Sequence, residues 1–165
     1  MALDDLWAKI SSYNIFNYLL PGILFAAFVQ PIAGYKIDQP NLLLAVFVYY
    51  FIGMVISRIG SLIVEPVLKK IGFLNFADYG DFVRASAKDA KIETLSEANN
   101  TYRTLIALFI CLALTWAYRT FEHIFPAIGS WTPYLIAGTI FLLFLFSYRK
   151  QAAYITKRID AHKGK

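Results

Sequence analysis

The amino-acid sequence predicts an all-α integral membrane protein, in which four transmembrane helices form two hairpins beside a small helical cytoplasmic segment. Hydrophobic residues make up 58% of the 165 residues and charged residues only 16%, whereas about a quarter of a typical soluble domain is charged. Four long runs carry no charged side chain, and the charges cluster between and after those runs. A soluble protein would spread its charges over the whole surface.

The N-terminal part of the sequence predicts an interfacial helix that leads into the first membrane span. Leu6 and Ile10 share helical spacing beside acidic and basic residues, as in amphipathic helices that lie on a membrane surface. Residues 1–20 are therefore predicted to form an N-terminal amphipathic helix, and residues 21–35 the first span. Pro21 leaves two alternatives open, because it can kink one long helix or separate two.

The rest of the chain divides at polar and breaker-rich stretches, and a span needs about 20 residues. Asp78 is suited to cap a short helix in the middle of the chain. Pro126 and Gly129 interrupt the chain between the last two uncharged runs. The predicted order is a second span at 41–64, a cytoplasmic helical segment at 65–101, a third span at 102–122, a fourth span at 131–148 and a basic cytoplasmic tail at 149–165.

Lysine and arginine are distributed asymmetrically about these spans. Fourteen of the sixteen lie at the inner ends of the predicted spans or in the segments beyond them, and only Lys36 and Arg119 lie on the other side. Positive charge close to a span is retained in the cytoplasm. The sequence therefore predicts a multi-pass protein of the bacterial inner membrane, with both termini in the cytoplasm.

Small residues recur at intervals of four in the second span, at Gly53, Ser57 and Ser61. Residues four apart share a helix face, and small side chains on that face let another helix approach closely. This stripe is either an oligomer or gating interface, or a packing surface within the monomer.

Arg58 and Glu65 lie seven residues apart near the cytoplasmic end of the same span, so they share a face at a distance of two turns. A charged side chain at this depth must reach water, pair with another charge or line a cavity. One interpretation is a set of inner-mouth charges around an oligomeric pore. The other is an interfacial anchor in which the arginine has a carboxylate partner.

The tail contributes four bases at an interval near two helical turns, namely Arg149, Lys150, Lys157 and Arg158. On a helix that continues from the fourth span, they are predicted to contact anionic lipid headgroups or an acidic partner. No aromatic residues interleave with them as in a nucleic-acid-binding module, so a nucleic-acid partner is not expected.

Residue patterns typical of catalysis are missing from the sequence. The two histidines, His123 and His162, lie 39 residues apart, which is not the spacing of a metalloprotease helix. There is also no serine elbow and no glycine-rich phosphate loop. We therefore expect no catalytic, metal-binding or cofactor-binding residues, and no enzymatic activity.

Three polar stretches, at residues 58–66, 76–79 and 95–103, are unusually specific for the edge of a membrane. In architecture, the chain resembles the small multi-span membrane effectors and sensors of bacterial anti-phage defence operons. The resemblance implies a membrane module that is coupled to a cytosolic trigger, and thereby a role in phage defence.

Three classes of function remain open at this point. The first is an oligomeric inner-membrane effector or channel-like protein that alters membrane permeability when its cytoplasmic face is triggered. The second is a non-catalytic membrane anchor or sensor subunit that binds a cytosolic partner protein. The third is a small lipid-modifying enzyme or transporter. Four spans cannot enclose a wide pore alone, so the first class requires a homo-oligomer.

Overall fold

The computed structural model describes residues 12–163, and this part of the chain is helical, without a strand. The all-α fold class predicted from the sequence is confirmed. The helices, in chain order, are α1 (Ser12–Asn14, Ile15–Leu19 and Leu20–Ala33), α2 (Leu42–Ile59, Gly60–Val64 and Glu65–Lys70), α3 (Tyr79–Ser86), α4 (Lys91–Ile124) and α5 (Thr132–Lys163). A 3-10 turn at Pro126–Trp131 joins α4 to α5.

Four of these helices, α1, α2, α4 and α5, are long and apolar enough to cross a membrane. A span needs about 20 residues, whereas α4 has 34 residues and α5 has 32. Each of the two therefore extends beyond the apolar layer as a polar helix. The predicted amphipathic helix at residues 1–20 lies mostly outside the described residues.

Several helices continue past the boundaries predicted for the spans. Helix α2 ends at Lys70 rather than near residue 64, and α4 begins at Lys91, well before the predicted span at 102–122. Helix α5 likewise continues from the predicted span at 131–148 into the basic tail. Hydropathy marks where a helix is apolar, whereas its backbone hydrogen bonds continue until a residue interrupts them.

The short helix predicted after Asp78 is confirmed as α3. Asp78 precedes the first helical residue, and its Oδ1 accepts a hydrogen bond from the Gly80 backbone N–H at 2.7 Å. Such an N-cap satisfies one of the backbone donors that a helix start leaves without a partner. Val83 is buried on the inner face of α3, which packs against α4 and α5.

Two π-helical turns interrupt the spanning helices, and each is followed by a proline. The turn at Ile15–Leu19 precedes Pro21, and the turn at Gly60–Val64 precedes Pro66. In a regular α-helix the proline ring clashes with the carbonyl four residues earlier. The extra residue of a π turn shifts that carbonyl out of register, so the helix continues. Pro21 therefore lies within one continuous helix and does not separate two.

Helices α1 and α2 cross in backbone contact at two glycines. A Cβ added to Gly22 would lie 1.7 Å from the Tyr49 carbonyl oxygen, and one added to Gly53 would lie 1.7 Å from the Tyr18 carbonyl oxygen. Only glycine fits at either position, because any larger residue would push the helices apart. The crossing therefore fixes the orientation of α1 and α2 relative to each other on both sides of the contact.

Helices α1, α2 and α4 enclose the apolar core, and α5 packs against α2 and α3. Of the four candidate spans, the one in α5 is the least buried. The core residues are Val29, Ala33, Ile56, Val64, Ala107, Leu108 and Leu112. A bundle of three helices with a fourth at its edge results.

A polar contact closes the bundle at the end opposite to α3. The Tyr35 hydroxyl donates to Glu122 Oε2 at 2.7 Å, and Arg119 Nη1 donates to the same oxygen at 2.7 Å. We call these three residues the loop-end latch, because they hold the connection between α1 and α2 against the end of α4.

Candidate functional site: a basic cavity at the α3 end of the bundle

A polar cavity of about 500 Å3 opens at the end of the bundle that carries α3. Small-molecule sites occupy about 300–1,000 Å3, so the cavity is large enough for a ligand. Residues of all five helices line it. The charged side chains among its described lining residues are Arg58, Lys69, Arg103, Lys157 and Glu65. We call it the basic cavity, since four of these five side chains are bases.

Three buried polar side chains from α1, α2 and α4 form a closed triangle beside this cavity. Asn17 and Thr104 are 0% exposed, and Ser57 is 3% exposed. The Thr104 hydroxyl donates to Asn17 Oδ1 at 2.7 Å, Asn17 Nδ2 donates to Ser57 Oγ at 3.2 Å, and the two hydroxyl oxygens lie 3.2 Å apart. A buried polar group without a partner costs about 1–3 kcal/mol. The triangle therefore fixes the register of three helices relative to one another.

Glu65 is the carboxylate of the cavity and accepts hydrogen bonds from two bases. Arg103 Nη1 donates to Glu65 Oε2 at 2.6 Å, and Lys69 Nζ donates to Glu65 Oε1 at 3.0 Å. The side chains of Glu65 and Arg103 are only 10% and 17% exposed. Arg103 Nε is buried and has no hydrogen-bond partner among the described residues. A charged pair at this depth is tolerated because each partner compensates the other.

Lys150 points inward from α5 to the π turn of α2. Its Nζ donates to the Ser61 carbonyl oxygen at 2.6 Å and to the Ser61 hydroxyl at 2.8 Å. The π turn explains this contact, because the Glu65 N–H bonds to Gly60 O instead of to Ser61 O. The next residue, Pro66, has no N–H to offer. The lysine thus satisfies a backbone carbonyl that the helix itself leaves open.

Arg58 lies between the triangle and the opening of the cavity. Its Nη2 donates to the Tyr18 hydroxyl at 3.2 Å. In the described part of the chain no carboxylate is paired with Arg58, and the two oxygens of Glu65 are bonded to Arg103 and Lys69 instead. The positive charge of Arg58 is therefore not neutralised by the carboxylate that lies two turns along its own helix.

Aromatic rings form the wall of the cavity near α3. The rings of Tyr79 and Tyr154 lie 5.5 Å apart, and those of Tyr79 and Phe82 lie 6.3 Å apart. Lys69 Nζ lies 4.1 Å from the centre of the Phe76 ring. A cation over an aromatic face is stabilised by the negative charge of that face, so this wall supports the basic character of the cavity.

Each residue of the stripe predicted on α2 contacts another part of the same chain. Gly53 contacts α1, Ser57 belongs to the buried triangle, and Ser61 accepts from Lys150. This geometry favours the second of the two interpretations, that of packing within the monomer.

The two predicted inner-mouth charges, Arg58 and Glu65, both line the basic cavity, but the structure does not pair them with each other. Of the four tail bases, Lys150 is turned into the bundle and Lys157 lines the cavity. Arg149 and Arg158 have exposed side chains on α5. The prediction of lipid or partner contact thus remains for the exposed members of the set.

Sequence reasoning missed Asn17, Thr104 and Arg103 as site residues. Their partners lie 38 to 87 residues away in the chain, so no local pattern connects them. The usable signal was the cost of a polar side chain within an apolar run, which marks residues that need a partner. Within residues 12–163, no three His, Cys, Asp or Glu side chains lie close enough to hold a metal ion.

No protein-family model, curated protein or solved structure matches the chain.

Proposed function

We propose that this protein is a non-catalytic sensor of the bacterial inner membrane, whose basic cavity faces the cytoplasm and receives the signal. One observation carries the proposal. Two of the residues that line the cavity, Asn17 and Ser57, belong to the triangle that joins three membrane-spanning helices. A ligand or partner in the cavity therefore acts directly on the contacts that hold the bundle in register.

The distribution of bases supports the orientation. Most lysines and arginines belong to the segments at the α3 end, and Lys36 and Arg119 belong to the opposite end. The side with more bases near the spans is retained in the cytoplasm. Helix α3 and the polar ends of α4 and α5 then form the surface that a cytosolic partner protein would contact.

Single cysteines test the location of the cavity. In a Cys111→Ala background, Ser96→Cys places a thiol on the cavity wall, and Lys36→Cys places one at the loop end. A membrane-impermeant maleimide should label the first only in inverted vesicles and the second only in intact spheroplasts. Leu145→Cys, on an exposed apolar face of α5, should resist the reagent in both. Labelling of Ser96→Cys from outside the cell would contradict the orientation.

Purification from native membranes tests the sensor role. If the cavity receives the signal, the wild-type chain should retain a partner or ligand, and Arg58→Gln should recover less of it. Lys36→Gln removes the same charge at the opposite end of the bundle, where the side chain is 65% exposed, and should retain the partner fully. Equal recovery by both variants would mean that the cavity does not take part.

A second candidate function is that of an oligomeric effector that alters membrane permeability. It is favoured by the observation that Arg58 and Glu65, the predicted inner-mouth charges, both line the cavity. A path through one protomer is closed by the apolar core around Val29, Leu108 and Leu112. A pore would therefore form between protomers, and the little-buried span of α5 is the surface available for that contact.

Ion flux from liposomes separates this second candidate from the sensor. If the effector role holds, the wild-type protein leaks ions and Arg58→Ala abolishes the leak, because the inner-mouth charge is lost, while insertion stays intact. Arg84→Ala, at an exposed base of α3, should leave the leak unchanged. A leak that persists in Arg58→Ala would reject the inner-mouth role.

A further inference from the structure

We infer that the basic cavity binds a phosphate-bearing ligand, whose anionic group contacts Arg58 and Arg103. This inference rests on the proposed sensor function and names the chemical class of its signal. Three independent properties of the cavity support it, namely its charge, its available donors and its size.

The charge of the cavity is unbalanced. Four bases and one acid are charged residues of its described lining, and the single carboxylate, Glu65, is bonded to both Lys69 and Arg103. Clefts lined by charges of one sign concentrate ions of the opposite sign, especially where the walls have a low dielectric constant. An anion in the cavity would offset the repulsion among the four bases.

Two arginines of the cavity use only part of their hydrogen-bond donors among the described residues. Arg103 Nε is buried and has no partner, and Arg58 donates to the neutral Tyr18 hydroxyl. A guanidinium group presents its donors in a planar fork that fits the oxygens of a phosphate in pairs. The two arginines come from α2 and α4, so a phosphate between them would bridge two spanning helices.

The size and remaining lining indicate that the ligand is larger than inorganic phosphate. The volume of about 500 Å3 is lined beyond the bases by amide, hydroxyl and aromatic side chains such as Asn99, Ser96 and Tyr79. A lipid headgroup and a soluble phosphorylated metabolite share the phosphate chemistry that the arginines recognise. Separate soluble and lipid probes therefore distinguish the two sources of the phosphate.

The test uses the full chain, purified in phosphate-free detergent. Thermal unfolding is followed with inorganic phosphate, adenosine monophosphate and, as the control anion, chloride. In parallel, native mass spectrometry compares the retention of phosphatidylglycerol with that of diacylglycerol, which carries no phosphate. We expect at least one phosphate-bearing probe to raise the unfolding midpoint or to be retained. Stabilisation by adenosine monophosphate identifies a soluble source, and selective retention of phosphatidylglycerol identifies a lipid source.

Matched variants locate the binding. Arg58→Gln should weaken binding of the positive probe by about tenfold to a hundredfold, the effect of losing one hydrogen bond to a charged group. Arg84→Gln removes an equal charge on α3 outside the described lining and should bind as the wild type does. Lys69→Gln and its neighbour Lys70→Gln form a second pair, in which only the first residue lines the cavity. Arg58 is the primary site because its partner is a hydroxyl group and its loss breaks no ion pair among residues 12–163.

Two results would overturn the inference: the absence of binding by every phosphate-bearing probe, or equal binding by Arg58→Gln and Arg84→Gln. Cysteine labelling keeps these failures distinct from failure of the sensor function. If Ser96→Cys is labelled from the cytoplasm but no phosphate binds, the ligand class is wrong and the sensor function stands. If Ser96→Cys is not labelled from the cytoplasm, the proposed function fails as well.

Discussion

At the scale of single residues, the structure shows why polar side chains are placed inside apolar helices. Asn17, Ser57 and Thr104 come from three helices and satisfy one another, with at most 3% of any of them exposed. In a membrane such contacts are worth about 0.6–2 kcal/mol each. These contacts also constrain the geometry of the bundle, because each side chain meets its partners only when the other two helices are in the correct register.

The triangle predicts the effect of removing one hydroxyl. Thr104→Val keeps the shape of the side chain but leaves Asn17 Oδ1 without its donor at 2.7 Å. We expect a loss of about 1–3 kcal/mol in the free energy of unfolding, measured by thermal or denaturant unfolding in detergent. Thr115→Val is the matched control, since its hydroxyl bonds to the Cys111 carbonyl of its own helix. Equal effects of the two substitutions would mean that the triangle does not stabilise the bundle.

At the scale of helices, the crossing of α1 and α2 depends on glycine on both sides. The absence of both side chains brings Gly22 and Gly53 so close that a Cβ at either one would overlap a backbone oxygen. The two π turns lie on the α3 side of this crossing. Together, the crossing and the π turns determine how the residues of the cavity are oriented. An inserted residue rotates the rest of a helix face by about 100°.

The space around each glycine predicts opposite outcomes for substitutions at Gly53, in the crossing, and at Gly138, in α5. Gly53→Ala places a methyl group 1.7 Å from the Tyr18 carbonyl oxygen, so the helices must separate, and we expect a loss of about 3 kcal/mol or more, at the upper end for overpacking. A Cβ at Gly138 in α5 meets nothing within 4 Å. Gly138→Ala should be neutral or stabilise the protein by up to about 1 kcal/mol through helix propensity. Unfolding midpoints of both variants in the same detergent provide the comparison.

At the scale of the whole molecule, the two ends of the bundle differ in character. The α3 end carries the open basic cavity, and the other end is closed by the loop-end latch. Partial burial and the hydrogen bond that it donates to the Glu122 carboxylate raise the pKa of Tyr35 above its ordinary value of 10.0. The protonated hydroxyl is therefore the form that holds the latch, and ionisation would place a second negative charge beside Glu122.

This pKa predicts how the latch responds to pH. A group whose pKa is raised on folding contributes stability below its unfolded pKa and loses it as the pH rises through the folded value. Tyr35→Phe should therefore lower the unfolding midpoint at pH 8, and the difference from wild type should vanish above the raised pKa. Tyr148→Phe, at an exposed position of α5, should show no such convergence. A difference that stays constant from pH 8 to pH 11 would exclude the latch.

The sequence alone determined the helices, the number of candidate spans and the site of the short capped helix, because these depend on local properties. Hydropathy, an N-cap at Asp78 and the spacing of bases act within a few turns of one helix. The sequence also placed Arg58 and Glu65 at the same end of α2, since residues on one helix keep a fixed separation.

Only the tertiary structure decided which of these residues meet. Glu65 bonds to Arg103 rather than pairing with Arg58, and Lys150 turns from the predicted lipid contact to Ser61, 89 residues away. Both contacts follow from the glycine crossing and from the two π turns. The extra residue in each π turn changes which backbone carbonyl lies opposite the following proline. Such contacts depend on the relative rotation of neighbouring helices, which no single helix encodes. The basic cavity exists because that rotation brings residues of five helices to one end of the bundle.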